Sequence, residues 1–366
     1  MKPIRHPGLR FLVPVATAGI LVGGSVLVAG ITAEAAPLPE RSAAQLIQDV
    51  RQAEIAGLSG TVVQTADLGI PSLPGIGEGS SSDLTSLISG THTLRVWYAG
   101  PDKVRLALLG SLGESDVIRN GTDLWMWSSK DNTASHRKLS GAGPATELPK
   151  NLPATPQQTA DGLLKALDPT TTVSTNSNVV VAGRTAYELV LQPKDSRSLV
   201  DRVTVAVDGE HHVPLRVQVF AKGQQSPAFS VGFTSVDFGT PDAAQFAFNP
   251  PPGTTITESD TADRPSGHPA AAPGKTAEPR VVGTGWTSVL VVSLPEQTPA
   301  TAPEPGQKPA AGGLDRIVNA LPKVSGAWGS GHLLAGKLFS VLVTDDHRVV
   351  AGAVAPELLY QALAAK

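Results

Sequence analysis

Between Thr91 and Gly239 apolar and polar residues alternate in short runs broken by tight turns. Such runs can bury one face only by pairing side by side, which dictates an antiparallel sheet. "THTLRVWYAGPDKVRLALLG" predicts two strands around Gly100-Pro101-Asp102, with Leu94, Val96 and Tyr98 on one face and Val104, Leu106 and Leu108 on one face of the next. "SDVIRNGTDLWMWSS" predicts a hairpin turning at Asn120-Gly121, and "SHRKLSG" a further strand. After one helical interruption the pattern resumes in "NVVVAGRTAYELVLQPK", "DRVTVAVDGEHHVPLRVQVFAKG" and "PAFSVGFTSVDFG".

Two helices carry start signals. Ser42 with Gln45 forms a capping box ahead of Leu46, Ile47 and Val50, with Gly57 as the expected stop. Thr155, Pro156 and Gln158 form a second start, ahead of Leu163, Leu164 and Leu167. Between the first helix and the sheet lie a strand, "LSGTVVQTADLG", and a loop whose Gly75, Gly77 and Gly79 lack the Lys-Ser/Thr that a phosphate loop needs.

The first 35 residues read as an export segment: Lys2, Arg5 and Arg10, an uncharged apolar run from Phe11 to Ala33, then Ala33-Glu34-Ala35. Cleavage after Ala35 is one outcome. The run is also long enough to remain as an anchor, since about 20 residues span a bilayer. Either way the chain is expected outside the cytoplasm, secreted or tethered to the outer face of the membrane. With no cysteine, disulfides, thiolate metal sites, a Cys nucleophile and a lipidated Cys are excluded. A net charge of −3 without a basic stripe argues against nucleic acid as a partner.

Residues 258–280 lack periodicity and read as a Pro/Ala-rich linker. Beyond it, strands at "GWTSVLVVSL", "GKLFSVLVTDD" and "RVVAGAVA", helices at "LDRIVNAL" and "PELLYQALAA", and a Pro-rich excursion predict a small α+β domain over 281–366.

Reactive constellations are missing, so no catalytic residue, metal ligand or cofactor is assigned and the chain is expected not to be an enzyme. Ser330 lies between Gly329 and Gly331 but follows Trp328, which breaks the G-x-S-x-G elbow. His211-His212 sits beside Asp208-Gly209, where a hairpin end explains it, and adjacent strand residues point to opposite faces. Asp345-Asp346-His347 reads as a polar turn, and the Asn-Gly turn accounts for Asn120-Gly121-Thr122 without glycosylation.

The segments "TAYELVLQPKD", "VTVAVDGEHHVPLRVQVF", "FSVGFTSVDFG" and "FAFNPPPGTTI", with Asp208, Gly209, Pro214, Leu215, Phe246, Phe248, Pro250, Pro251 and Gly253, resemble the LolA/LppX/RseB (MucB) superfamily. "RNGTDLWMW" is similar to the family's strand pair ending in an aromatic, here Trp127. The resemblance covers roughly residues 40 to 258. It implies an α+β fold over 36–257, a curved antiparallel half-barrel plugged by helices, whose apolar cavity takes acyl chains of lipids or lipoproteins. An RseB-like alternative adds a membrane-bound regulatory or transport protein as partner. The chain departs from the family in lacking a lipobox cysteine, in its extra C-terminal module, laid out like the second domain of RseB, and in an Ala, Gly and Pro-rich composition that suits an actinobacterium.

With the alternation, the resemblance predicts a cavity lined by Leu94, Val96, Tyr98, Leu106, Trp125, Trp127, Tyr187, Leu189, Val217 and Phe233. Trp125 and Trp127 share a face, opposite Leu124 and Met126; whether they wall the cavity or fill ordinary core stays open. Acyl binding needs no directed chemistry, because burial gains about 0.8 kcal/mol per CH₂, on the order of 10 kcal/mol gross for about 14 carbons.

Overall fold

The computed structural model describes residues 38–71, 89–110, 113–139, 155–165, 169–259, 279–294 and 318–364. The export segment, the glycine run at 75–79, residues 260–278 of the expected linker and the Pro-rich excursion lie outside them, as does the first half of the "LDRIVNAL" helix, 314–317. No helix among the described residues is long and apolar enough to cross a membrane.

Both capping boxes form. Ser42 and Gln45 bond reciprocally at the start of α1 (Ala43–Gln52). Thr155 and Gln158 do the same at α2 (Pro156–Lys165). Each satisfies two backbone donors and is worth about 1 kcal/mol. Helix α1 ends at Gln52, short of the expected stop at Gly57. Gly57 serves another purpose: a Cβ there would lie 2.5 Å from the Thr240 Cα, so the residue permits two backbones to meet.

Twelve described strands form one large, open, curved sheet with few helices. They are β1 (Leu58–Ala66), β2 (Gly90–Tyr98), β3 (Lys103–Gly110), β4 (Gly113–Asn120), β5 (Asp123–Ser128), β6 (Thr133–Lys138), β7 (Thr171–Val181), β8 (Arg184–Pro193), β9 (Val200–Asp208), β10 (Pro214–Ala221), β11 (Phe229–Asp237) and β12 (Thr255–Ser259). Their order is β12-β6-β5-β4-β3-β2-β1-β11-β10-β9-β8-β7. Pairing is antiparallel except at one edge, where β12 runs parallel to β6. Glu258 and Ser259, expected to begin the linker, are strand residues. The β7–β8 turn places Ala182 and Gly183 at φ +52° and +75°, and Gly121 turns the β4–β5 hairpin at φ +64°.

Side chains of directly paired strand residues point to the same side of the sheet. One side carries Leu58, Val62, Leu94, Val96, Leu106 and Leu108, continuing through Phe233, Val231, Val217, Val205 and Leu189. Leu46 and Val50 of α1 and Ala160 and Leu164 of α2 pack into this apolar face.

A second, antiparallel sheet contains β13 (Arg280–Val282), β14 (Val289–Ser293), β15 (Lys323–Gly326), β16 (Gly329–Ala335), β17 (Ser340–Thr344) and β18 (Arg348–Gly352) in the order β13-β14-β18-β17-β16-β15. Helix α3 (Pro356–Ala364) buries Leu359 and Leu363 against Val289, Val291, Leu342 and Val350. Backbone bonds tie it to the first sheet, Leu199 N–H to the Ala353 carbonyl at 2.8 Å and Lys337 N–H to the Leu68 carbonyl at 2.7 Å. The Trp286 Nε1–H also donates to Thr171 Oγ1 at 2.8 Å.

Candidate functional site: an apolar cavity

The α1 exit, β1–β3, the β9–β10 connection, β11 and the first turn of α2 enclose a cavity of about 600 Å³. Ile55, Leu58, Val96, Val104, Leu106, Val213 and Phe233 form its apolar walls, and Glu54, Thr155, Gln157 and Gln158 contribute polar groups. The volume falls within the range of small-molecule pockets, roughly 300–1,000 Å³. Gly60 keeps Phe233 in place from the next strand, since a Cβ there would stand 2.9 Å from the ring. Tyr98 also lines the space, and burial, helped by nearby Asp102, pushes its phenol above the ordinary range. The Tyr98 hydroxyl therefore stays protonated near neutral pH, leaving it a donor.

Of the ten residues expected in the cavity, Val96, Tyr98, Leu106 and Phe233 line it. Leu94, Leu189 and Val217 belong to the same buried face but sit in solid core. Tyr187 is likewise buried, its hydroxyl donating to the Pro39 carbonyl at 2.9 Å.

The structure puts Trp125 and Trp127 on the other side. Leu106 pairs with Val117 and Val117 with Met126, so the cavity side of β5 carries Leu124 and Met126. Trp125 stacks on His136 at 4.1 Å and meets Phe248 at 4.8 Å. The cavity is thus not walled by the tryptophans; the segment after β11 reaches the outer face and lays Phe248 against Trp125. Missing from the expected set were Ile55, Leu58, Val104, Val213 and the α2 residues. Val104 alternates with Leu106 and could have been read; the others follow from how loops and helices close over the sheet.

The outer face around the tryptophans is charged. His136 bridges Asp123 at 2.8 Å and Glu258 at 2.6 Å through its two ring nitrogens. Asp116, 3% exposed and paired across the strands with Trp127, meets Arg105 at 2.5 Å through one oxygen. Its other oxygen and the Trp127 Nε1–H are buried without a hydrogen bond among the described residues. Burial outweighs Arg105 and, with Glu114 adding to it, pushes the Asp116 carboxyl up to about 7. A raised carboxyl stabilises the fold fully below its unfolded value, and that contribution is lost as pH rises through about 7. We expect Asp116→Asn to flatten the fall in stability between pH 3.8 and about 7, measured by urea melts across that range. An unchanged slope would show that another group titrates there.

No family model matches the chain, and no curated protein matches it. Solved structures similar to it include the MucA/MucB complex of Pseudomonas aeruginosa, 15% identical over 88% of this chain and 96% of that one, with a TM-score of 0.42. LppX of Mycobacterium tuberculosis is 14% identical over 51% and 90%, at a TM-score of 0.28. A LolA superfamily protein of Nitrosomonas europaea is 8% identical over 57% and 99%, at a TM-score of 0.22. These likenesses assign no activity to the chain.

Proposed function

We propose that the chain binds acyl chains of lipids or lipoproteins in this cavity, without catalysis, outside the cytoplasm. The sheet acts as a half-barrel container over 36–257, and a small α+β domain over 281–366 follows a linker. The observation that carries this reading is the cavity itself: a space of about 600 Å³ with apolar walls from β1–β3 and β11 and a set of hydroxyl, amide and carboxylate groups at α1 and α2. Acyl chains gain free energy from such walls by burial alone, and the polar groups suit an ester or amide head.

The test is titration of a fluorescent fatty acid ester against the purified protein, with mass spectrometry of organic extracts of material from native membranes. Saturable binding, and a melting midpoint that rises with ligand by mass action, is the expected result. Absence of both binding and extracted lipid would end the reading.

A second reading is a sensor that docks a membrane-bound regulatory protein. The observation favouring it is on the second sheet, where Val281 is 60% and Leu290 42% exposed, paired neighbours on the side turned away from the buried Val289 and Val291. Co-purification of a membrane protein, lost on Leu290→Glu, would support it.

A further inference from the structure

The outer face of the large sheet carries a second concavity, separate from the acyl cavity. Across β7–β10 a groove of about 330 Å³ is lined by Asn176, Glu188, Thr204, Gln218, Arg202 and neighbouring side chains. Strand register explains its chemistry. Ser174, Val190, Thr204 and Gln218 are directly paired from strand to strand, and Asn176 pairs with Glu188 in the adjacent row. The row on the buried side is Leu189, Val205 and Val217, one residue out of step, so on β8–β10 the groove faces away from the acyl cavity, while at the edge strand β7 Thr175 also borders it.

Charges in the groove are already matched. Glu188 accepts from Asn176 Nδ2 at 3.0 Å and faces Arg216 at 3.7 Å. Arg202 donates to Asp201 at 2.7 Å and its Cζ lies over the Phe220 ring at 3.9 Å, which fixes its guanidinium. An ionic ligand would have to displace a partner. What the groove offers freely are neutral groups: the Thr204 hydroxyl and the Gln218 side chain line it, and neither has a hydrogen bond among the described residues. Such groups repeat from strand to strand at about 4.8 Å, a spacing on the scale of one sugar ring.

We propose that this groove is a binding site for an uncharged, polyhydroxylated ligand, a saccharide of one or two rings. Hydroxyl groups both donate and accept, which matches the free Thr204 and Gln218, and fixed N–H donors of Arg202 border them. An extended peptide would instead pair its backbone with the edge of β7, which ends the sheet among the described residues, rather than lie on this face.

The experiment is a heteronuclear NMR titration of the full chain with maltose and with N,N′-diacetylchitobiose, following the Gln218 and Asn176 side-chain amides. Saturable shifts at these groups with at least one disaccharide are expected. Thr204→Val and Gln218→Leu should each weaken binding about three- to tenfold, the value of one hydrogen bond, while the ester fluorophore binds as before. Circular dichroism of both variants establishes that they fold. No saturable shift with either sugar, binding unaffected by both substitutions, or shifts confined to β7 backbone amides on adding a tetra-alanine peptide would each overturn the proposal.

Discussion

Asp208→Ala should destabilise the protein by about 3–5 kcal/mol, the usual consequence of removing one partner from a buried ion pair. The Asp208 carboxylate, fully buried at the end of β9, accepts from Arg184 Nε at 2.5 Å and Nη2 at 3.1 Å. Backbone N–H groups of Glu210 and His211 donate to it at 3.1 and 2.7 Å, closing the turn into β10. Burial alone would raise this carboxyl, but the bonds from Arg184 and the turn outweigh it and hold it below the ordinary range. Its contribution is therefore present above the unfolded value and lost as pH falls through the folded one. Without it, two turn N–H groups lose their acceptor and, of its carboxylates, Arg184 keeps only Glu210, at 3.0 Å. Thermal melts should show a fall of roughly 10 °C, since each kcal/mol shifts the midpoint by about 2–4 °C in a chain of this size. Asp208→Asn, which keeps the shape and one acceptor, should lose less. A loss below about 1 kcal/mol for Asp208→Ala would mean that the turn is held by other contacts.

That hairpin also shows what the sequence discloses and what it withholds. Asp208-Gly209 and Asn120-Gly121 announce their turns, and Ser42/Gln45 and Thr155/Gln158 announce their helices, because each depends on residues close in the chain. Alternation likewise states which side chains share a face. It does not state which face turns inward: alternation puts Trp125 and Trp127 on one face of β5 and leaves open whether that face walls a cavity, and the register turns it outward. Edge strands are equally hard to read. The first half of β7, Thr171–Ser177, is largely exposed Thr, Ser and Asn with one neighbouring strand, and β12 joins in parallel after a Pro-rich stretch. Neither buries a face, so neither leaves a hydrophobic pattern. The cavity depends on long-range closure: Val213, Ile55 and the Thr155 turn come together only when two helices and a hairpin end settle on the sheet.

Filling the cavity should separate its role from that of the tryptophans. Leu106 is 4% exposed and lines the space beside Val96, so Leu106→Trp places the larger ring where no protein atoms have to move far. Overpacking a closed core costs about 1–3 kcal/mol, and the open volume here should keep the loss at the lower end. Ester binding should fall more than tenfold, since a ring in that volume displaces several methylenes, each worth about 0.8 kcal/mol. Trp127→Ala is the counterpart from the outer face. It removes half-buried apolar surface together with an indole N–H that has no acceptor among the described residues, and should cost about 2 kcal/mol, below the 3–5 of a fully buried Trp, with ester binding unchanged. Fluorescence titration and melts on the same two variants give a crossed result: binding lost with stability kept in one, stability lost with binding kept in the other. If Leu106→Trp folds and still binds the ester as the parent does, the acyl chain does not enter this cavity. If Trp127→Ala abolishes binding while its melt barely moves, the ligand lies on the outer face with Trp125, His136 and Phe248.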